Sequence, residues 1–232
     1  LREGWIDYVV PQVYFSTGFG KVPYRNLVDW WAENSFGRHL YIGQGAYRVG
    51  YTDSDKSWQS RSEIPNQVRY LRQKNSQGSV YFSSRSLRSN PLSVTDSLRQ
   101  HLYKYPALIP TMPWKDNTPP LVPVNAEAKS SSMGTVLLSW EEPKAASDKD
   151  VPWYYVIYRF EEDEKPSPND PRRIIGIVRG ERNFLDTSLK PGLNYLYYIT
   201  AVDRLHNESR PAGPLEVSLG GAVLKPSSDS NE

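Results

Sequence analysis

The chain has 232 residues, a formal net charge of +2 and 23% charged residues, and it contains no cysteine. These values exclude disulfide bonds, thiolate metal sites and a cysteine nucleophile, and the charge is too small to predict binding to nucleic acid. No run of the sequence reaches the ~20 apolar residues that span a membrane. The chain begins at Leu1 without an initiator methionine, so we expect it to be a piece of a longer protein.

The two parts of the chain differ in charge and in aromatic content. Residues 1–117 hold 15 Lys and Arg against 9 Asp and Glu, whereas residues 118–232 hold 13 against 17. The first part also contains five of the seven tryptophans. We therefore predict an α/β domain over 1–117, an all-β domain over 118–220 and a disordered tail over 221–232.

The first part alternates short β-rich runs with amphipathic helical segments. Strands are predicted to start near Tyr8, Leu40 and Val80, and the helix between the first two is predicted to pack through Trp30 and Trp31. This strand–helix order predicts three βα units on a parallel sheet. Because a βα barrel needs eight units, we expect the exposed sheet edges to be covered by upstream units or by homo-oligomerisation.

A third helix and a linker complete the first part. The helix is predicted over 94–105, where Val94, Leu98 and Leu102 share one apolar face. The segment that follows, up to Pro120, is rich in proline and is predicted to be extended. This segment leads into a region in which the apolar residues follow a different periodicity.

Residues 120–219 show no helical period and instead contain seven short alternating runs, which is typical of a β-sandwich. Pro119 and Pro120 precede the first strand, Trp140 lies on the second, and Tyr195 lies where a tyrosine corner would bond to backbone upstream. In these motifs the chain resembles fibronectin type III modules. The resemblance implies a non-catalytic sandwich over 118–220.

A second resemblance covers about residues 1–116. Its motifs are the run from Trp5 to Tyr14, the Trp30-Trp31 pair, the Leu40-Tyr-Ile-Gly43 strand with Tyr47, the Gly78-Ser-Val-Tyr-Phe-Ser83 strand, and the run from Pro106 to Trp114. They resemble the last part of bacterial glycosyl-hydrolase-like TIM barrels, which are exported polysaccharide-acting proteins. The resemblance implies the last three βα units of a (β/α)8 barrel, followed by the fibronectin type III domain.

The same resemblance implies an activity and a location for the parent protein. The parent would hydrolyse a complex glycan, with cell-wall glycan as one candidate, and would be extracytoplasmic (secreted, periplasmic or lipid-anchored). Canonical glycoside hydrolysis needs two carboxylates, and the resemblance implies that both lie on earlier strands, upstream of this chain. The catalytic residues therefore stay unknown, and we expect this chain alone to bind sugar weakly or not at all, without turnover.

Acidic side chains are absent from the predicted strand ends of the first part, which carry glutamine, tyrosine and serine. Asp7 precedes its strand, where barrels place residues that serve stability. Asp53 and Asp55 lie in the loop after the second strand, and we interpret both as solvated loop residues. They would become the first suspects if the chain turned over a glycan.

The predicted substrate-binding residues are a glutamine and four aromatic side chains. Gln12 is predicted to bond sugar hydroxyls, and the aromatic residues to stack on a pyranose ring. The stacking residues are Tyr14, Tyr47, Trp58 and Trp114. The partner would be a polysaccharide or cell-wall glycan. No cofactor and no metal is predicted, because the three histidines are scattered along the chain.

A non-enzymatic protein is the alternative interpretation. The first part would then be a degenerate barrel for glycan binding or scaffolding, and the sandwich a spacer or adhesion module. A contiguous aromatic and polar cleft near Gln12, Tyr14 and Tyr47 would favour glycan binding, whereas a flat charged surface there would favour scaffolding.

Overall fold

The chain divides into two structural units, Leu1–Tyr105 (unit 1) and Pro106–Glu232 (unit 2). The computed structural model describes residues 1–51, 55–131, 134–164, 167 and 170–219. The predicted tail, 221–232, lies outside these described residues. The predicted domain boundary after residue 117 stays a prediction.

Unit 1 is built on a parallel sheet whose central strand is β3. Its strands are β1 (Tyr8–Val9), β2 (Gln12–Val13), β3 (His39–Gln44) and β4 (Gly78–Tyr81). β1 and β2 pair with one side of β3, and β4 pairs with its other side, all of them parallel. Pro11 separates β1 from β2, because proline has no N–H to give to the ladder.

Helices lie between and after these strands. They are α1 (Tyr24–Glu33), α2 (Glu63–Gln73), α3 (Ser84–Ser89) and α4 (Val94–Ser97), and a π-helical turn, Leu98–Leu102, continues α4. The predicted third helix is therefore too long, since it ends at Leu102 and Tyr105 is exposed. Within the described residues, no helix is long and apolar enough to cross a membrane.

The sheet of unit 1 buries one face and exposes part of the other. Side chains alternate between the two faces of a strand, and register partners of parallel strands share a face. Val13, Leu40 and Ile42 pack into a core with the helices. On the opposite face, Tyr8 and Val80 are 55% and 48% exposed. Parallel sheets are normally covered on both faces, so this second face is unusual.

The packing face of α1 differs from its prediction. Tyr24 and Val28 are buried, and Trp31 is half-buried against the same core. Trp30 is 54% exposed, so the prediction that it packs inside is wrong. The helical period explains the difference, because positions 24, 28 and 31 share one face and position 30 lies beside it.

Unit 2 contains a sandwich of two antiparallel sheets. Its strands are β5 (Val124–Ser130), β6 (Val136–Glu141), β7 (Tyr154–Glu161), β8 (Ile174–Val178), β9 (Asn183–Asp186), β10 (Asn194–Val202) and β11 (Ala212–Ser218). One sheet has the order β11-β10-β7-β8 and the other the order β5-β6-β9. The predicted β-sandwich is confirmed.

The core of the sandwich lies between the two sheets. Trp140 and Tyr155 meet there with ring centroids 5.1 Å apart. The hydroxyl of Tyr195 accepts a hydrogen bond from the backbone N–H of Lys190 at 2.9 Å, which confirms the predicted tyrosine corner. A second apolar cluster lies on the other face of β7, and Leu108 of the proline-rich segment packs against it.

Candidate functional site

Three aromatic rings lie just beyond the carboxyl ends of the three neighbouring strands of unit 1. Tyr14 directly follows β2, Phe82 directly follows β4, and Tyr47 lies in the short turn after β3. The carboxyl ends of parallel strands meet at one edge of a sheet, which is where ligands of open α/β sheets bind. We call Tyr14, Tyr47 and Phe82 the aromatic trio.

The rings of the aromatic trio contact one another. The Tyr14 and Phe82 rings stack with centroids 6.0 Å apart, and the Tyr47 ring meets each of them edge-on at 5.9 Å. Phe82 is 57% exposed and Tyr47 is 40% exposed. Partial burial, and to a smaller extent the neighbouring Tyr47 phenol, raise the pKa of Tyr14 above its ordinary value.

Backbone hydrogen bonds hold the aromatic trio to the strands. The N–H of Phe82 donates to the carbonyl of Gln44 at 3.0 Å, and the N–H of Tyr47 donates to the carbonyl of Phe82 at 3.1 Å. Gly45 lies so close to Tyr14 that a Cβ atom at this glycine would stand 3.2 Å from the Tyr14 Cβ. The glycine thus lets Tyr14 approach the end of β3.

Arg48 connects the aromatic trio to the hydrophobic core. Its Nη1 donates to the backbone carbonyl of Tyr14 at 3.1 Å, and its guanidinium lies 5.4 Å from the centre of the Trp58 ring. The Trp58 side chain is 0% exposed and packs with Ile64 and Val68. Trp58 therefore has no ring face open to a sugar, and the prediction that it is a stacking platform is wrong.

A buried carboxylate anchors the loop that follows β2. Glu63, at the start of α2, accepts hydrogen bonds from the N–H and the hydroxyl of Thr17, at 2.6 and 2.8 Å. Gln67 donates to the same carboxylate at 2.8 Å and to the carbonyl of Phe15 at 3.1 Å. Since both carboxylate oxygens accept bonds from the protein, Glu63 has a structural part in fixing this loop.

The other acids of unit 1 do not lie at strand ends in the part that the structure describes. Asp55 accepts a hydrogen bond from the N–H of Ser57 and caps the short 3₁₀ helix Lys56–Gln59. Asp29, on α1, pairs with Lys74 at 2.8 Å. Asp53 lies outside the described residues. No carboxylate that ends a described strand is thus available for acid or base chemistry.

The predicted binding residues are distributed as follows. Gln12 is exposed and shares a sheet face with Tyr14, two residues on, so these two and Tyr47 lie at one edge of the sheet. Trp114 is half-buried in unit 2, in the segment before the sandwich, and its part in sugar binding stays a prediction. Phe82 is not among the predicted binding residues, because the predicted strand runs through it to Ser83. In the structure Phe82 follows β4 directly, just as Tyr14 follows β2.

Three aspartates of unit 2 have a spacing that a metal ion could use. Carboxylate oxygens of Asp116, Asp148 and Asp150 all lie within 4.8 Å of one another. Asp116 accepts hydrogen bonds from Thr118 and from an amide side chain, and Asp150 pairs with Arg204 at 2.9 Å. These bonds give the acids protein partners, so the spacing alone does not assign a metal.

Comparison with known proteins gives a relative that is longer than this chain. The chain is 38% identical over 216 residues to a Bacillus subtilis (strain 168) protein named glycosyl hydrolase YngK, a match that covers 90% of this chain and 41% of that protein. The chain thus spans about two-fifths of the length of this curated relative. The match includes parts of both units, because neither unit alone amounts to 90% of the chain. No protein-family model matches the chain.

Solved structures that are similar to the chain include fibronectin type III domains. A human domain of this type is 23% identical, with a TM-score of 0.38, over 47% of this chain and 88% of that one. The fifth such domain of Drosophila Lar is 18% identical, with a TM-score of 0.34, over 44% and 98% of the two chains. These structural matches concern the sandwich type of fold, whereas the sequence match is to a protein named as a glycosyl hydrolase.

Proposed function

We propose that unit 1 contributes the aromatic part of the glycan-binding cleft of a glycoside hydrolase. The single observation that carries the proposal is the aromatic trio, Tyr14, Tyr47 and Phe82, with rings in mutual contact and two of them substantially exposed. Aromatic rings bind the apolar face of a pyranose, and a neighbouring amide such as that of Gln12 bonds its hydroxyls. Further support comes from the relative named as a glycosyl hydrolase.

The exposed sheet face below the aromatic trio supports the barrel interpretation of unit 1. Tyr8 and Val80 on this face are apolar and exposed, and the sheet is parallel throughout. In a closed βα barrel such residues face the interior and pack against those of other strands. In this proposal unit 1 forms the last three βα units of a longer barrel. The aromatic trio then lies at the C-terminal ends of the barrel strands, where βα barrels have their active sites.

The catalytic carboxylates, in this proposal, belong to strands outside this chain. Unit 1 offers no acid at a described strand end, and hydrolysis needs two that flank the glycosidic bond. The full protein would cleave a complex glycan, with cell-wall glycan as the first candidate, and would be extracytoplasmic because this polymer lies outside the membrane. Cell fractionation with an antibody against the sandwich checks the location.

Binding of glycans to the full 232-residue chain tests the proposal. Calorimetric titrations with peptide-free cell-wall strands, cellohexaose and chitohexaose would compare the wild type with Tyr47→Ala and Phe82→Ala. The proposal requires weak but measurable binding by the wild type, which holds only part of the cleft. We expect each variant to bind about tenfold more weakly still, since a lost stacking contact is worth ~1 kcal/mol or more. Trp30→Ala is the matched control, because Trp30 is an exposed aromatic residue on α1 and away from the strand ends.

Three outcomes would contradict the proposal or a part of it. Binding that both Tyr47→Ala and Phe82→Ala leave unchanged would remove the aromatic trio from the site, and the absence of binding to every glycan of the panel would remove glycan binding by this chain. Release of reducing ends by the wild type would contradict the upstream placement of the acids. In that case Asp53→Asn and Asp55→Asn would be the next variants.

A further inference from the structure

We infer that Arg48 positions Tyr14 within the aromatic trio, an inference that rests on the function proposed above. The observation behind it is that one side chain contacts both the surface site and the core. Arg48 Nη1 bonds the carbonyl oxygen of Tyr14 at 3.1 Å, and the guanidinium lies over the fully buried ring of Trp58. The position of the Tyr14 backbone is thus linked to the buried core of unit 1.

The backbone around Arg48 strengthens this link. Arg48 follows Tyr47 directly, and the N–H of Tyr47 donates to the carbonyl of Phe82. The 3₁₀ turn Ala46–Arg48 therefore bonds Phe82 through its backbone and Tyr14 through its last side chain. Without the side-chain bond, Tyr14 would keep its ring contact with Tyr47 but lose the hydrogen bond that fixes its backbone to this turn.

Only arginine has the geometry for both contacts. A guanidinium is planar, stacks on an indole ring and directs several N–H groups outward in its plane. The ammonium of lysine has the same charge but lacks the planar fork of N–H groups, so it does not reproduce the bond to the Tyr14 carbonyl from beside the ring of Trp58. Arg48→Lys thus removes the positioning and keeps the charge.

The first test uses NMR of the aromatic rings and needs no ligand. In the full chain we expect Arg48→Lys to shift the ring protons of Tyr14 toward the values of an isolated tyrosine, because its contacts with the other two rings loosen. The contact between Tyr47 and Phe82 should persist, since the backbone bond between them remains. Tyr14 ring shifts that stay at their wild-type values in a folded Arg48→Lys would overturn the inference.

A core variant separates positioning from mere stability. Val68→Ala weakens the cluster that contains Trp58 but leaves the bond between Arg48 and Tyr14 in place. We expect Val68→Ala to lower the melting temperature and keep the Tyr14 ring shifts, whereas Arg48→Lys changes these shifts. If the two variants change the Tyr14 shifts alike, Arg48 is a structural residue and the inference is wrong.

The second test is affinity for the peptide-free cell-wall strands used above. We expect Arg48→Lys to bind about tenfold more weakly and Val68→Ala to bind like the wild type, as the loss of a charged hydrogen bond at the site predicts. A wild type that does not bind contradicts the proposed function, while the ring shifts still decide the role of Arg48. A binding wild type and an equally tight Arg48→Lys would overturn the inference alone.

Discussion

The two units differ in how completely they bury their apolar surface. In unit 2 the two sheets face each other and bury Leu138, Tyr197 and Ile199 entirely in one core. In unit 1 one face of the sheet packs under helices, while Tyr8 and Val80 stay exposed on the other face. The core of the sandwich is therefore closed within unit 2, whereas one face of the parallel sheet is left partly uncovered within unit 1, although parallel sheets are normally covered on both faces.

Separate production of the two units should give the largest contrast. We expect residues 106–219 to be a monomer that unfolds cooperatively, because the sandwich core is closed. We expect residues 1–105 to associate or to aggregate, because exposed apolar surface and open sheet edges promote pairing with other chains. Light scattering and thermal melting of each unit check this prediction.

A variant of unit 1 provides the control for this contrast. Replacing Tyr8 and Val80 by lysine in residues 1–105 should suppress association, because charge on that face opposes contact between copies. A wild-type unit 1 that is monomeric and unfolds cooperatively would contradict the difference between the units.

Within the sandwich, a buried ion pair predicts a large effect of a single substitution. Asp186 is 2% exposed, bonds Arg159 at 2.6 Å and accepts a hydrogen bond from the hydroxyl of Tyr197 at 2.9 Å. Asp186→Asn should lower the free energy of unfolding by about 3 kcal/mol, because it leaves Arg159 without its charged partner. Urea unfolding measures the change, and Asp163→Asn, at an exposed turn, should leave the midpoint unchanged.

The same carboxylate predicts a pH dependence with a definite sign. Burial alone would raise the pKa of Asp186, but hydrogen bonds from Ser188, Tyr197 and Arg159 outweigh it and lower this pKa below the usual value. A carboxyl with a lowered folded-state pKa stabilises the fold above its unfolded pKa of about 3.9. That stability is lost as the pH falls further, and Asp186→Asn should flatten the loss. An equally steep loss in this variant would contradict the assignment to Asp186.

In unit 1 the anchoring of the loop after β2 predicts a smaller effect. Glu63→Gln replaces a carboxylate oxygen by an amide that faces the donors of Thr17 and Gln67. We expect a loss of about 2 kcal/mol, since hydrogen bonds to charged groups contribute this much. Thermal unfolding checks the loss, with Glu33→Gln as the exposed control on α1. Equal melting temperatures for the two variants would show that Glu63 does not anchor the loop.

Much of the fold was predictable because its signals are local. Alternating runs and turn residues predicted the sandwich, and the spacing before Tyr195 predicted the corner that its hydroxyl forms. The three βα units were predictable because the spacing of apolar residues alternates between strand-like and helix-like along the chain. The predicted third helix is too long, because the spacing of apolar residues does not reveal where the backbone leaves the helical conformation.

The site was harder to predict because exposure depends on distant contacts. Trp58 lies in a polar stretch, yet Val49, Ile64 and Val68 enclose it, and these contacts leave no trace in its own neighbourhood of the sequence. The predicted strand includes Phe82, although β4 ends one residue earlier, at Tyr81. The aromatic trio as a whole becomes visible only when three strand ends, far apart in the chain, are aligned in one sheet.

The most direct test of the account is an NMR titration of the full chain with peptide-free cell-wall strands. We predict that the ring signals of Tyr14, Tyr47 and Phe82 shift together along one binding curve, while the ring of Trp30 stays unchanged. Shifts confined to unit 2, or no shifts at any concentration of the glycan, would contradict the assignment of the aromatic trio as a glycan-binding surface.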